Sequence, residues 1–403
     1  MARRALEGVV LVDFGQYLAG PFGPMIIGDL GADVIKVEPV QGDGMRMVNQ
    51  AFFGCQRGKR DIALDLKSER GHEIALQLVA QADIVHHNMT AGVAKRLGIG
   101  YDDCKAVNDD IVYCNTWAYG LEGPLARFGG LDPLFQAAAG LEYDSGPVHA
   151  GNAPLYYRFG MTDTANAMLS VIGCLAALYH QRRTGDGQEL WTSLLDGAAM
   201  FASDAVLVNG EGLPRPKLDA DQTGFGACYR LYLTGDGWLQ IAAVEQHHWE
   251  ALCRALGVPE LVDDERFGDA GARDEHRQQL ESLLTPIFTT KTAIVWSRVL
   301  DDHGVPNEVS LDTRAGERVF FDADNERLGT VAEYEHPILG RMRQFGRLVD
   351  FSETPSRIES APPLVGQHTK EVLGWLGYGE DEMASLKDDK VVYWPDDDYA
   401  WTV

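Results

Sequence analysis

Five short apolar runs alternate with segments of helical character in the first 120 residues, and this alternation limits the fold more than any other feature of the chain. The runs are EGVVLVDFG (7–15), DVIKVEP (33–39), DIALDLK (61–67), DIVHHN (83–88) and DIVYCNTWAYG (110–120). Between them, YLAGPFGPMIIGDLGA reads as a turn and a short helix, ERGHEIALQLVAQA as a helix capped by Ser68, and VAKRLG as another short helix. Strands and helices alternating at this spacing predict an α/β chain on a parallel sheet. The glycine-rich stretch QGDGMRMVNQAFFGCQRGKR reads as irregular.

Further along, GMTDTANAMLSVIGCLAALYHQRRTGDGQ (160–188) carries apolar residues on nearly every face of a helix, which predicts a buried one. Arg182 and Arg183 suit its carbonyl end and Gly185 the position just beyond. QELWTSLLD reads as a strand and GAAMFASDAVLVNG as a helix. EGLPRPKLDADQTG (211–224) is a polar, proline-bearing linker, and YRLYLTGDGWLQIAAV (229–244) is a hairpin around TGDG. The expected organisation is a large domain over 1–210, a linker over 211–224, a small α+β domain over 225–325, and a linker with a C-terminal segment over 326–403. That last segment holds a strand-like MRQFGRLVDF, a helix TKEVLGWLG and an acidic aromatic tail, YWPDDDYAWTV.

Composition excludes several classes of function. A net charge of −25 argues against a nucleic-acid partner. Residues 1–100 hold 11 basic and 11 acidic side chains, so the neutral N-terminal quarter is where a polyanionic small molecule meets least repulsion. No apolar run approaches the ~20 residues of a membrane span, and the start has two arginines but no signal-peptide cleavage site. The six cysteines are scattered and never form CxxC, as expected of a reduced, cytoplasmic protein without structural zinc.

The turn after the first strand, GQYLAGPFG, lacks the G-x-G-x-x-G of a nicotinamide site. His86 and His87 lack the further ligands a metal would need, and no G-x-S-x-G elbow exists for a serine nucleophile. Strand ends of an α/β sheet are where ligands sit. Lys67 and Arg96 stand at such ends, and the loop before the third strand adds Arg57, Lys59 and Arg60, so a phosphate-bearing ligand is expected there. Asp163 opens the long helix and reads as its N-cap. A cap does not account for Tyr156, Tyr157, Arg158 and Met161 gathering beside that carboxylate, so a chemical role stays open.

Four separated stretches, LAGPFGPMIIGDLGADVIKVEP, RGKRDIALDLKSERG, the 160–188 segment and PPLVGQHTKEVLGWLG, resemble the class III CoA-transferases of the CaiB/BaiF type, over nearly the whole chain. The resemblance implies that Asp163 is a covalent nucleophile and that coenzyme A, as acyl-CoA substrate, contacts Gln16, Ala19, Leu64, Lys67, Asn88, Met89, Arg96 and Leu97. It implies a mobile loop at Gly224, Phe225 and Gly226 that shields Asp163 from water. It also implies a Rossmann-like large domain completed by the C-terminal segment, in a ring-shaped chain interlocked with its partner in a homodimer. Pro39 stands where relatives often carry a basic residue. The same resemblance admits an α-methylacyl-CoA racemase or a non-catalytic CoA-binding relative. The racemases need a histidine in GGLDPLFQAAAGL where this chain has Leu131, and a non-catalytic relative has no need of Asp163.

Overall fold

The computed structural model describes residues 3–310, 312 and 316–396, with the side chains of Asn49 and Glu317 outside that description. The end of the acidic aromatic tail, 397–403, lies outside the described residues. The chain divides into two compact units, one of Met1–Ala139, Tyr157–Ser203 and Gly316–Val403, the other of Gly140–Tyr156 and Asp204–Ala315.

In the first unit the chain runs β1 (Val10–Asp13), α1 (Phe22–Asp29), β2 (Asp33–Glu38), α2 (Asn49–Gln56), β3 (Arg60–Leu64), α3 (Glu69–Val79), β4 (Ile84–His87), α4 (Val93–Arg96), α5 (Tyr101–Val107), β5 (Val112–Trp117) and α6 (Asp132–Ala138). After α7 (Leu141–Ser145), which belongs to the second unit, come α8 (Met161–Thr184), β6 (Gln188–Ser193) and α9 (Leu194–Phe201). A strand at Val392–Tyr393 closes the sheet, antiparallel to β3, so the spatial order is Val392–Tyr393, β3, β2, β1, β4, β5, β6. The pairs among β1 to β6 are parallel, as the alternation predicted.

Both faces of this sheet are covered, and that is why its strands read as continuous apolar runs. Val12, Ile35, Ile62 and Val85 pack with Leu78 of α3 and with Val372 and Leu373 of a C-terminal helix, Thr369–Trp375. The alternate residues Leu11, Val34, Ile84 and Val112 pack on the other face with Met25 and Ile27 of α1 and Cys174 and Leu178 of α8.

Three expectations are corrected. The stretch between β2 and β3 is not irregular: Asp43 accepts a hydrogen bond from Met45 N and starts a 3-10 turn, and α2 follows with Phe52 and Cys55 fully buried. One helix, α8, is long and apolar enough to cross a membrane, although its packing on α1 and the sheet identifies it as a core helix. It is also only half buried, with Ile172 and Tyr179 about two-thirds exposed.

The second unit is built on an antiparallel sheet of β9 (Gly224–Gly226), β10 (Tyr229–Leu233), β11 (Trp238–Ala242) and β12 (Asn307–Ser310), preceded by the short pair β7 (Leu207–Val208) and β8 (Glu211–Gly212). Helices α10 (Gln246–Leu256), α11 (Ala270–Glu275), α12 (Arg277–Phe288) and α13 (Ala293–Asp302) complete it. Its core contains Tyr232, Ile241, Trp249, Leu284, Phe288 and Trp296. The Thr234–Gly237 turn joins β10 to β11 as the TGDG sequence predicted.

Candidate active site

The strand order reverses between β1 and β4, and in open α/β sheets the crevice at such a reversal is where ligands bind. The loops leaving these two strands are clasped together. Gln16 N–H donates to Asn88 Oδ1 at 2.9 Å, and Asn88 Nδ2 donates to the Gln16 carbonyl at 2.7 Å. Gly20 is needed beside this clasp, because a Cβ there would lie 2.7 Å from Asn88 Cγ. Tyr17, next in the turn, has φ +62°, a left-handed conformation that non-glycine residues rarely hold outside functional loops.

Gln16 lines a cleft of about 450 Å³, together with Leu64, Lys67, Met89, Leu97 and the apolar Phe14, Val37 and Pro39. Asn88 lines a second cavity, of about 180 Å³, together with Tyr17, Ala19, Trp117, Leu131 and Asp163. The predicted contact residues therefore divide between two neighbouring hollows, and Arg96 alone lines neither. Lys67 and Arg96 are exposed and have no ion-pair partner among the described residues.

The other basic residues assigned to a phosphate-bearing ligand do different work. Arg57 is buried and pairs with Asp29 at 2.7 Å. Lys59 is buried and donates to Asp13 Oδ2 and the Pro21 carbonyl, each at 2.8 Å. Arg60 pairs with Asp33 and Glu371. A buried cation needs such partners, and these three are held within the fold. His86 and His87 are buried in β4, where desolvation pushes them down to about 4 and about 3 and keeps both neutral near pH 7. Among the described residues no cluster of His, Cys, Asp or Glu could hold a metal.

Asp163 is not the N-cap of α8. Gly160 holds that position, and Asp163 is in the first turn. One free N–H of that turn, that of Asp163, donates instead to Asp132 Oδ2 at 2.9 Å, and the same oxygen accepts from Thr162 Oγ1 at 2.7 Å. Asp132 Oδ1 accepts from Gln136 Nε2, which also donates to the Phe159 carbonyl at 2.9 Å. The Asp163 side chain, thus excused from capping, lines the small cavity. Burial, and after it the nearby charge of Asp132, push its carboxyl up to about 7. Of the neighbours expected beside it, Arg158 packs over the Phe159 ring at 4.9 Å, and neither Arg158 nor Met161 lines the cavity.

No cationic side chain is among the cavity's lining residues; Ala19, Ala118, Leu131 and Leu194 supply apolar wall beside the neutral polar Asn88, Thr90 and Thr116. A poorly solvated carboxylate of raised basicity in such a place is suited to attack a carbonyl carbon. The segment expected to be a mobile loop, Gly224–Gly226, is a short strand paired with β10 in the second unit. Arg277 holds it by donating to the Phe225 carbonyl at 2.9 Å and the Gly224 carbonyl at 3.2 Å.

Residues 6–369 match the sequence profile described as CoA-transferase family III. The chain is 31% identical to the succinyl-CoA:glutarate CoA-transferase of Mus musculus over 92% of its own length and 86% of that protein. It is 27% identical to the (R)-2-hydroxy-4-methylpentanoate CoA-transferase of Clostridioides difficile, over 96% and 99% of the two chains. The crystal structure of a CaiB/BaiF family protein from Brucella suis superimposes with a TM-score of 0.79 at 28% identity, covering 93% of this chain and all of that one.

Proposed function

The chain belongs to CoA-transferase family III, and within that family we propose that it moves CoA from an acyl-CoA to a free carboxylic acid with Asp163 as the covalent nucleophile. One observation carries this reading: the cleft and the Asp163 cavity adjoin at the Gln16–Asn88 clasp. A ligand with a large nucleotide head and a reactive thioester at the end of a thin arm fits that arrangement. The head occupies the cleft near Lys67, and Arg96 approaches its phosphates from the rim.

The Asp163 carboxylate attacks the donor thioester carbonyl, giving a mixed anhydride and CoA thiolate. The thiolate attacks the aspartyl carbonyl, giving an aspartyl-CoA thioester and the donor acid. The acceptor carboxylate then attacks that thioester and expels the thiolate, which takes the acceptor acyl group from the new anhydride and restores Asp163. Backbone N–H groups stabilise each oxyanion. Leu131 supports transfer rather than racemisation, because a leucine in the Asp163 cavity cannot return a proton to the far face of an α-carbon. The interlocked homodimer is part of the same reading, and the exposed Ile172 and Tyr179 of α8 support a second copy covering them.

The test is mass spectrometry of protein incubated with succinyl-CoA or acetyl-CoA and quenched with hydroxylamine. A hydroxamate on the peptide carrying Asp163 is expected, and it should be absent from Asp163→Asn. A hydroxamate on another residue, or none with any acyl-CoA that supports turnover, would overturn the assignment.

A further inference from the structure

Asp132 is 7% exposed, and both of its carboxylate oxygens accept hydrogen bonds. A surface carboxylate could serve as a helix cap at little cost, but a buried one must have every hydrogen bond in place. Here the bonds come from three points: the side chain of Thr162, the main chain of Asp163, and Gln136, which is itself tied to Phe159. The first turn of α8 is thereby attached to α6 through one anion, in contact with the main chain of Asp163.

We propose that Asp132 is the positioning residue of the nucleophile: it holds the first turn of α8 so that the Asp163 side chain faces the cavity, and it keeps a negative charge beside it. This rests on the reading that Asp163 is the nucleophile. Two separate consequences follow from the bond and from the charge. The bond fixes where the Asp163 main chain begins, and so where its carboxylate can reach a thioester carbonyl; errors of an ångström in such placement are costly in rate. The charge makes the Asp163 anion harder to form and more basic once formed.

Few other groups can compete in setting the ionisation of Asp163. The β1–α1 turn brings Tyr17 to the cavity, although its hydroxyl lies against Gly44; α9 brings Leu194, with its Asp196 exposed and outside the lining; and α6 brings Asp132. With Lys, Arg and His absent from the lining, Asp132 is the charge beside Asp163.

The experiment weights bond and charge differently in two variants. Asp132→Asn keeps an oxygen able to accept from Thr162 and Asp163, removes the charge and gives up the bond from Gln136 Nε2, whereas Thr162→Val removes one bond and leaves the charge. With succinyl-CoA as donor, the acidic limb of the kcat/KM profile should move down by about one pH unit in Asp132→Asn. In Thr162→Val it should not move down, while kcat falls severalfold with KM for succinyl-CoA little changed. A role confined to stability predicts lower melting temperatures in both variants with the limb in place, and that result would overturn the proposal. Hydroxylamine trapping on the parent enzyme, run alongside, tells the two failures apart. A hydroxamate on Asp163 with an unmoved limb removes Asp132 alone, and no hydroxamate on Asp163 removes both.

Discussion

Gly197 of α9 and Thr162 of α8 meet backbone to backbone: a Cβ on Gly197 would lie 2.7 Å from the Thr162 carbonyl oxygen and 2.9 Å from Asn166 N. The contact falls on the turn that carries Asp163, so glycine here permits an approach that fixes the nucleophile's helix from behind. Gly197→Ala should force α9 away and cost about 1–3 kcal/mol of stability. Transfer activity should fall further than the melting temperature alone explains, because Asp163 moves with the turn. Parallel thermal melts and transferase assays check this, and full activity at the parent's melting temperature would refute it.

Lys67→Ala and Arg96→Ala should each weaken CoA binding about tenfold, the scale of a lost charge-assisted hydrogen bond. Neither residue has an ion pair to lose among the described residues, so their melting temperatures should stay at the parent value. Calorimetric titration with CoA at 20 mM and at 300 mM salt should show the gap from the parent narrowing as salt rises. Unchanged affinity in both variants would place the nucleotide elsewhere.

Asp163→Asn should be more stable than the parent above neutrality. The folded chain holds the Asp163 proton up to about 7, well above the unfolded value of 3.8. Between these values the folded state binds more protons than the unfolded state, so this group lowers stability as pH rises from about 4 to 7. Asparagine has no such loss. The melting temperature of Asp163→Asn should equal the parent's near pH 4 and exceed it by roughly 2–4 °C at pH 8. A constant difference across that range would mean that Asp163 titrates normally.

Racemisation should be absent. A 2-methylacyl-CoA incubated with the enzyme in deuterium oxide should keep its configuration, while CoA exchanges between thioesters and free acids in the same mixture. Inversion with deuterium uptake, and no transfer to any acid tested, would show that Leu131 had been given the wrong meaning.

The sequence shows β1 to β5 well because strands covered on both faces are largely apolar. It hides α2, whose eight residues bury Phe52 and Cys55 within a glycine-rich stretch that offers no sustained period. Asp163 is conspicuous through its motif, but its geometry is not. The residue that caps its helix is Asp132, 31 positions away, and no local pattern records a bond of that span. Arg57 and Lys59 mislead for the same reason. A cation read in one dimension looks free to meet a phosphate until the fold delivers Asp29 and Asp13 to it.

The strand that closes the sheet has a consequence for synthesis of the chain. β3 supplies Leu64 to the cleft, yet its outer edge pairs with Val392–Tyr393, its Asp61 main chain bonds to His368, and its Ala63 N–H waits for Thr369 Oγ1, 306 residues downstream. A ribosome adding about 5–20 residues per second leaves that edge open for roughly 15–60 seconds. An unpaired edge strand is a template for pairing with another nascent chain. Translation thus delivers the nucleophile long before it delivers the cleft's outer support. Chains released early would carry Asp163 on a formed α8 and still expose the β3 edge, so premature termination should yield aggregates rather than a smaller working enzyme.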